Sequence, residues 1–213
     1  MEMTDFKRIL IVGPHTDDGE FGCGGTIARF IEEGRQVFYA TFSCAEESVP
    51  EGLPKDILLN EVKESSRTLG IEPDNLLIFR YQVRKFAQYR QEILEDLVRL
   101  NKELGPDLVL MPSEHDLHQD HYTVAVEGLR AFKFTSILAY EMPWNNINFK
   151  TRSFIHLKEK HVLKKLEAVK CYRSQTGKKY ANEEFIRGLA KTRGVQCGVD
   201  FAETFEVIRL IIS

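Results

Sequence analysis

The alternation of short β-branched runs with helix-length amphipathic segments is the feature of this sequence that most limits its possible folds. Parallel strands joined by crossover helices have this pattern, because such strands are buried on both faces and such helices on one. We therefore expect an α/β fold, a Rossmann-like three-layer sandwich with a mainly parallel sheet. The predicted strands span residues 8–12, 37–42, 76–79, 107–111, 136–140, 154–157 and 205–212.

Predicted helices fill most of the intervals between these strands. Their apolar side chains recur at helical spacing, and glycines follow several of the segments, as at helix carboxyl ends. The glycine-rich segment 13–24, in contrast, is predicted to be a loop, and so is segment 112–119. Segment 45–54 is polar and contains prolines, which indicates a surface loop or, as the alternative, a mobile lid. The predicted helices span residues 25–33, 56–69, 88–103, 121–132, 159–171 and 182–191.

Length and composition indicate a single domain covering residues 1–213. Hydrophobic residues make up 43% and charged residues 29%, which excludes the low-hydrophobicity class of disordered chains. A formal net charge of -3 gives no cationic field for nucleic acid. The polar segment 1–7 has no apolar run that would serve as a signal peptide or membrane anchor, so we expect a cytoplasmic protein without a membrane partner. Association into a homo-oligomer is left open.

Histidines and carboxylates are concentrated after the first and fourth predicted strands. His15, Asp17 and Asp18 follow the first strand, and His118 and His121 follow the fourth. The carboxyl ends of parallel strands meet at one edge of the sheet, where ligands bind. A hydrolytic zinc site commonly uses three imidazole or carboxylate ligands and leaves one position for water. The sequence therefore predicts a metal site at the carboxyl ends of strands 1 and 4.

Each segment also has a simpler interpretation. An Asp-Asp-Gly run is usually a solvated turn, and a histidine pair on a loop is a weak signal. Gly22, Gly24 and Gly25 invite a dinucleotide interpretation, which we reject because their spacing is G-x-G-G and the nearby carboxylates repel a pyrophosphate. Glu20 fits a helix-entry acid, since carboxylates are favoured near helix amino ends. The metal interpretation gains weight because both segments supply complementary N and O ligands at the same edge.

The same residues resemble the motifs of a known family, the PIG-L or LmbE-like de-N-acetylases. The family's first motif, H-P-D-D-x-E-x-G-x-G-G-T, is matched by residues 15–26, except that Thr16 replaces the proline. The second motif, H-x-D-H, is matched by residues 118–121. Glu61 and the segments 172–175 and 198–205 show weaker similarity, so the resemblance extends over most of the chain.

The resemblance implies a zinc-dependent deacetylase and a role for each matched residue. His15, Asp18 and His121 would hold Zn2+, and Asp17 would act as general base. Because one of two adjacent carboxylates is drawn onto the cation, the other is left to take a proton from the attacking zinc-bound water. The expected function is removal of the acetyl group from an N-acetylated amino sugar or sugar conjugate.

The second segment supplies supporting residues. The resemblance implies that His118 donates a hydrogen bond to the oxyanion or protonates the departing amine. Asp120 is expected to orient a histidine, and capping of the following helix is a compatible role. His115 and Asp116 are interpreted as residues that structure the loop.

Residues that would contact the substrate are harder to predict. Trp144, the only tryptophan, is a candidate platform for a sugar ring, with a core or surface position as the more common alternative. Arg84, Lys85 and Arg90 would suit a phosphate or nucleotide, but isolated charges on a helix are usually solvated. We expect a small N-acetylated sugar or conjugate as the partner, and neither nucleic acid nor a lipid-embedded substrate.

Two other functions are consistent with these residues. A metal-dependent phosphoesterase would usually hold two metals and need more carboxylate ligands than these segments supply. A catalytically inactive sugar- or nucleotide-binding protein would keep the fold, but the presence of Asp17 beside the predicted ligands argues against it. Iron, cobalt or manganese would also suit a histidine and carboxylate site, and zinc is chosen on the resemblance.

Overall fold

The computed structural model describes residues 6–212. Most of the polar amino-terminal segment 1–7, and the last residue of the predicted domain, therefore lie outside the described residues. Within residues 6–212, no helix is both long and apolar enough to cross a membrane. The interpretation of the chain as a single domain stays a prediction.

One seven-stranded sheet forms the centre of the described chain. Its strands are β1 (Arg8–His15), β2 (Gln36–Ser43), β3 (Leu76–Ile78), β4 (Leu108–Pro112), β5 (Ser136–Tyr140), β6 (Ser153–Leu157) and β7 (Phe201–Arg209). They lie in the order β3-β2-β1-β4-β5-β7-β6. The first five of these are parallel to one another, and β7 runs antiparallel to both β5 and β6. The prediction of an α/β fold with a mainly parallel sheet is confirmed.

In the part of the chain that the structure describes, six α-helices cover both faces of this sheet. They are α1 (Asp18–Glu32), α2 (Ile57–Leu69), α3 (Arg90–Leu104), α4 (Gln119–Ala131), α5 (Glu159–Lys170) and α6 (Glu183–Cys197). Helices α1, α2, α5 and α6 share one core with the sheet, and α3 and α4 share another. The result is the predicted arrangement of three layers.

Side chains of β1 alternate between these two cores. Ile9 and Ile11 join the core beneath α1, whereas Leu10 and Val12 join the core beneath α3 and α4. All four side chains are fully buried. Burial of each contributes about 1.5–3 kcal/mol, so the packing of both layers fixes the carboxyl end of this central strand.

The prediction of a loop over residues 13–24 is wrong for most of its length. β1 continues to His15, and α1 begins at Asp18, so the glycines of the first motif are helical. Glycine is a poor helix former, which is why the sequence pattern indicated a loop. Packing overrides this preference, because a Cβ atom at Gly22 would overlap the ring of Tyr140. The absence of side chains allows α1 to approach β5 closely.

A buried ion pair supports a kink of α1 at Cys23, where φ is -148°. Lys165 donates to the carbonyl oxygen of Phe21 at 2.7 Å, and Glu203 accepts from the backbone N–H of Thr26 at 2.7 Å. The two charged groups are themselves 2.7 Å apart. They therefore satisfy backbone groups that the kink takes out of the helical hydrogen-bond ladder. Glu203 belongs to the weaker similarity near the end of the sequence.

Two boundaries near the carboxyl end also differ from the prediction. Helix α6 continues past residue 191 to Cys197 and ends at Gly198, whose φ is 78°. Strand β7 begins at Phe201 rather than at residue 205, and it ends at residue 209 rather than 212. The start of β7 contains the acidic residue Glu203, and an acidic residue does not indicate a buried strand in a sequence. Glu203 is nevertheless buried, because it forms an ion pair with Lys165.

The predicted helix 121–132 begins earlier than expected. Helix α4 starts at Gln119, and His118 is its N-cap residue. Asp120 and His121 consequently lie in the first helical turn, where their side chains have fixed directions. The remaining predicted elements agree closely with the observed ones.

Candidate metal centre

The two motif segments meet at one edge of the sheet. β1 ends at His15, β4 ends at Pro112, and these adjacent strands are parallel. The sheet extends from β1 to β2 on one side and from β4 to β5 on the other. The edge between β1 and β4 is therefore the topological switch point, where ligand sites form in α/β sheets.

The three predicted metal ligands bring their donor atoms together at this edge. Nδ1 of His15 lies 3.3 Å from Nε2 of His121. Each of these nitrogens also lies 3.3 Å from a carboxylate oxygen of Asp18. Ligand atoms held about 2.0–2.1 Å from a tetrahedral metal are themselves about 3.3–3.4 Å apart. The two nitrogens thus have the spacing of tetrahedral ligands, and the Asp18 carboxylate faces both of them, with Oδ2 towards His15 and Oδ1 towards His121.

Two further carboxylates hold the outer nitrogens of these imidazoles. Oδ2 of Asp120 lies 3.1 Å from Nε2 of His15, and Oδ2 of Asp116 lies 2.8 Å from Nδ1 of His121. When each ring is neutral and its outer nitrogen donates to a carboxylate, the lone pair of its inner nitrogen faces the common point. The contact between Asp116 and His121 was not predicted from the sequence. Asp116 also has the loop-structuring role that was predicted, because its Oδ1 accepts a hydrogen bond from the backbone N–H of His118 at 2.8 Å.

Electrostatics at this point favour positive charge. Burial lowers the pKa of His15 and of His121, but the Asp18 carboxylate and hydrogen-bonded carboxylates outweigh burial, raising these pKa values to about 9 and about 10. Burial also opposes ionisation of Asp18, but His121 and His15 hold its pKa well below the ordinary value. The pocket stabilises an ionised carboxylate beside positive charge, and a metal ion bound there would take the place of the protons on the two imidazoles.

His118 is a neighbouring imidazole with a different environment. One ring nitrogen from each of His15, His118 and His121 lies within 4.8 Å of the others, so His118 is an alternative third ligand. Its Nδ1 accepts from the backbone N–H of Asp120 at 3.2 Å, which leaves the proton of a neutral ring on Nε2. Burial and the nearby His15 and His121 charges lower the pKa of His118 to about 4. At neutral pH, His118 is therefore an uncharged hydrogen-bond donor.

Asp17 lies beside the donor atoms without capping the helix that follows it. It is the N-cap residue of α1, but its side chain forms no capping hydrogen bond. Asp17 lines a cleft of about 320 Å³, and Asp18, His15 and His121 line the same cleft. Burial and the neighbouring Asp18 carboxylate raise the pKa of Asp17 to about 6. This carboxylate is thus available to a molecule in the cleft.

Aromatic side chains form one wall of the cleft. Trp144 is 38% exposed and stacks on Tyr180 at a centroid distance of 4.1 Å. The Phe21 ring is nearly perpendicular to both rings, with centroid distances of 5.7 Å to Trp144 and 5.3 Å to Tyr180. One face of the indole is consequently covered by Tyr180, and its role as a sugar platform stays a prediction.

Of the three cations considered for phosphate binding, one, Arg84, lines the cleft. Arg90 forms an ion pair of 2.6 Å with Glu127, a contact between α3 and α4. Lys85 is exposed and is not part of the cleft wall. Lys178, which sequence reasoning did not consider, lines the cleft together with Arg84.

The remaining motif residues support the cleft from behind. Glu20 is fully buried, and the hydroxyls of Tyr39 and Tyr172 lie 3.1 and 2.9 Å from its carboxyl oxygens. Burial raises the pKa of Glu20 to about 7. Glu61 accepts from the N–H and hydroxyl of Ser174 at 3.0 and 2.5 Å, which ties α2 to the segment bearing the cleft residue Gln175.

The first residues of segment 45–54 border the cleft. Ala45 and Ser48 line the cleft, and residues 46–48 form a short 3-10 helix. The lid function of this segment stays a prediction.

Similarity to known proteins extends over both motif segments. The family model described as PIG-L, GlcNAc-PI de-N-acetylase, matches residues 10–132, more than half of the chain. An uncharacterized deacetylase, YaiS, of Escherichia coli K12 is 27% identical over 79% of this chain and 91% of that protein. Diacetylchitobiose deacetylase of Thermococcus kodakarensis is 27% identical over 62% of this chain and 52% of that protein.

The fold has a close counterpart among solved structures. The N,N'-diacetylchitobiose deacetylase from Pyrococcus horikoshii, complexed with its inhibitor MPG, has a TM-score of 0.81. The match covers 96% of this chain and 84% of that chain at 24% sequence identity. At this identity, the likeness concerns the fold alone.

Proposed function

Because the chain belongs to the PIG-L family of de-N-acetylases, we propose that it is a metal-dependent hydrolase that removes the acetyl group from an N-acetylated amino sugar or sugar conjugate. One observation carries the proposal: Nδ1 of His15, Nε2 of His121 and the Asp18 carboxylate lie together. Beside them is Asp17, whose side chain forms no capping hydrogen bond with α1. The names of the E. coli and Thermococcus relatives as deacetylases support the reaction, and the name of the latter supports an N-acetylated sugar as the substrate class.

The resident cofactor in this proposal is a single Zn2+ held by His15, Asp18 and His121. The two imidazole nitrogens have the spacing of tetrahedral ligands, the Asp18 carboxylate faces both of them, and imidazole with carboxylate is a common zinc ligand set. When bound there, zinc supplies polarisation of the amide carbonyl and acidification of water. Asp120 and Asp116 act as positioning residues, because each holds the outer nitrogen of one ligand imidazole.

Asp17 is the general base in this reaction. Its pKa of about 6 leaves it ionised at neutral pH but still basic enough to accept a proton. The water oxygen forms a bond to the acetyl carbon, and the proton that the water loses passes to Asp17. The carbon–nitrogen bond then breaks as the proton held by Asp17 passes to the departing nitrogen, which restores the Asp17 carboxylate and gives acetic acid, ionised to acetate at neutral pH, and the free amino sugar.

His118 donates a hydrogen bond to the oxyanion that develops during this attack. Its Nδ1 is engaged by the Asp120 N–H, so the proton of the neutral ring is on Nε2. Of the two roles inferred for His118 from the sequence, oxyanion stabilisation is favoured over protonation of the amine, because a pKa of about 4 leaves little imidazolium at neutral pH. Such donors typically contribute about 100- to 1,000-fold to the rate.

The alternative functions are less well supported. A phosphoesterase would need a second metal about 4 Å from the first. Within residues 6–212, one group of histidines, cysteines or acids has ligand atoms close enough to share a metal ion; it consists of His15, His118 and His121 and overlaps the proposed ligand set in two residues. An inactive binding protein would not require a carboxylate such as that of Asp17, which lies beside the ligands without capping α1. We also propose a single domain and a cytoplasmic location.

Acetate release from a panel of acetylated sugars tests this function. The panel includes N-acetylglucosamine, its simple glycosides and N,N'-diacetylchitobiose, each with and without a chelator. We expect release that stops when the chelator is added and returns with added zinc. Phosphate release from phosphoesters, or chelator-resistant acetate release, would contradict the proposal.

A further inference from the structure

The backbone of Arg84 adopts a conformation that residues with side chains rarely use. Among residues 6–212, Ala45 and Arg84 are the two non-glycine residues with positive φ, 47° and 66° respectively. Both line the candidate cleft. A left-handed residue other than glycine costs about 1–2 kcal/mol, and such residues cluster at functional sites. The conformation of Arg84 therefore needs an explanation.

Two residues at the start of α4 hold Arg84 in this conformation. The backbone N–H of Arg84 donates to Oδ2 of Asp120 at 2.6 Å, and Nε2 of Gln119 donates to the Arg84 carbonyl oxygen at 2.7 Å. The same Asp120 oxygen lies 3.1 Å from Nε2 of His15. One carboxylate thus positions both a proposed metal ligand and the backbone of an arginine at the cleft.

The side chain of Arg84 has no role in holding the fold. Within the described part of the chain, its guanidinium forms no hydrogen bond and no ion pair, and the residue is exposed. The ammonium group of Lys178, on the same cleft, likewise has no partner among residues 6–212. A turn that needed only a positive φ would be best served by glycine, which carries no side chain. The presence of arginine rather than glycine at position 84 is explained if its side chain binds a ligand.

The charge balance of the cleft favours an anionic ligand. The cations Arg84 and Lys178 equal in number the carboxylates Asp17 and Asp18 that line the cleft. A divalent metal between the ligands makes the lining positive when the histidines are neutral. Guanidinium binds carboxylate and phosphate through two parallel hydrogen bonds, which gives direction as well as attraction.

We propose that Arg84, assisted by Lys178, forms an anion subsite that selects amino-sugar conjugates bearing a carboxylate or phosphate. The inference rests on the proposed deacetylase function and specifies its substrate class. The anionic group would lie on the part of the substrate away from the acetamido group, which must reach Asp17. Arg84 is then a residue that determines specificity, and Asp120 links its position to that of the metal ligand His15.

Matched substrates that differ in one group test the subsite. Acetate release would be measured with methyl N-acetyl-α-D-glucosaminide, with its carboxymethyl counterpart and with N-acetyl-α-D-glucosamine 1-phosphate. We expect kcat/KM to be at least about tenfold higher for one or both anionic substrates, as a charge-assisted pair would give. The carboxylate and phosphate arms show which anion is preferred. Equal kcat/KM for all three would overturn the proposal.

Variants assign the preference to Arg84. In Arg84→Gln, we expect the preference for the anionic substrate to fall at least about tenfold, mainly through KM, with partial recovery in Arg84→Lys and a further loss when Lys178→Gln is added. Arg67→Gln is the matched control, since Arg67 is exposed, unpaired within the described residues and outside the cleft. A preference that survives in Arg84→Gln would come from direct binding of the anion to metal and would overturn the assignment.

Binding measurements separate failure of the subsite from failure of the deacetylase function. If the zinc-loaded parent protein releases no acetate from these three substrates or from the panel described under the proposed function, that function is wrong. Calorimetric titration with α-D-glucosamine 1-phosphate and methyl α-D-glucosaminide then decides the subsite alone. The subsite is supported if the parent protein binds α-D-glucosamine 1-phosphate more tightly than methyl α-D-glucosaminide and if Arg84→Gln abolishes this difference. Equal affinities of the parent protein for the two sugars would refute the subsite. Thermal unfolding of each variant verifies that it is folded.

Discussion

Two adjacent carboxylates, Asp17 and Asp18, have opposite electrostatic environments. The pKa of Asp17 is raised to about 6 by burial and by its neighbour, whereas His121 and His15 hold that of Asp18 low despite its burial. Pairs of titratable groups pushed apart in this way are typical of acid–base sites. The proposed division into a metal ligand and a general base follows this difference.

Asp17→Asn tests the base. The amide cannot accept the proton, so kcat should fall about 100- to 10,000-fold while the metal content stays at that of the parent protein. Acetate release and metal analysis of the same preparation measure both quantities. In the matched Asp18→Asn variant, metal binding itself should weaken. Full activity of Asp17→Asn would show that another group takes the proton.

Asp116→Asn tests the support of His121. Loss of the carboxylate at 2.8 Å from Nδ1 of His121 should weaken zinc binding about 10- to 100-fold, as is usual for residues that orient a ligand imidazole. Competition with a chromophoric chelator measures the affinity. Asp74→Asn, at an exposed residue far along the chain, is the control. Equal zinc affinity in both variants would mean that Asp116 has only its loop-structuring role.

Glu20→Gln tests the buried carboxyl group behind the motif. The pKa of Glu20 is about 7 in the folded chain, against an ordinary value of 4.5. Between these values the unfolded chain loses a proton that the folded chain keeps, so this group lowers stability as the pH rises through that window. We expect the unfolding free energy of Glu20→Gln, relative to the parent, to rise by about 1–3 kcal/mol from pH 5 to pH 8.

Urea denaturation of both metal-free proteins at the two pH values measures this difference. The exposed Glu51→Gln serves as the control and should show no pH-dependent change relative to the parent. A Glu20→Gln difference that is the same at pH 5 and pH 8 would contradict the raised pKa.

At the residue scale, the sequence was sufficient to find the residues that the two motifs contain. His15, Asp17, Asp18 and His121 come together as expected from the strand ends. The partner of His121 and the state of His118 could not be predicted, because hydrogen-bond partners depend on loop geometry that spacing does not determine. The cleft position of Arg84 was inaccessible for the same reason.

At the scale of single elements, α1 shows where sequence pattern and structure diverge. Its glycines lower intrinsic helix propensity, so local preference indicated a loop over a region that is helical from Asp18. The helix forms because tertiary packing requires the close approach of its backbone to Tyr140. Local pattern cannot report a contact with a strand more than a hundred residues away.

Gly22→Ala tests this explanation against helix propensity. A methyl group at Gly22 would overlap the Tyr140 ring, and overpacking of this kind costs about 1–3 kcal/mol of stability. Gly188→Ala in α6 is the matched control, since no atom beyond the neighbouring backbone of its own helix lies within 4 Å of the added Cβ. There alanine should stabilise the protein by about 0.5–1 kcal/mol. Stabilisation by both substitutions, measured by chemical denaturation, would show that α1 is not limited by packing.

At the scale of the whole molecule, the order of strands places the chemistry. The parallel order β3-β2-β1-β4-β5 puts the switch point between the two strands that precede the motifs. The alternation of strands and helices was sufficient to predict that the sheet is mainly parallel, but not the order of its strands. The antiparallel addition of β7 and β6 was not predicted, because the direction of a strand depends on long-range pairing rather than on its own residues.

The central claim is that one metal ion, held by His15, Asp18 and His121, is required for acetate release. Titration of the metal-free protein with zinc, with acetate release recorded after each addition, tests it most directly. The account predicts no release without metal and a linear rise that ends at one equivalent per chain. Activity in the metal-free protein, or a rise that continues to two equivalents, would contradict it.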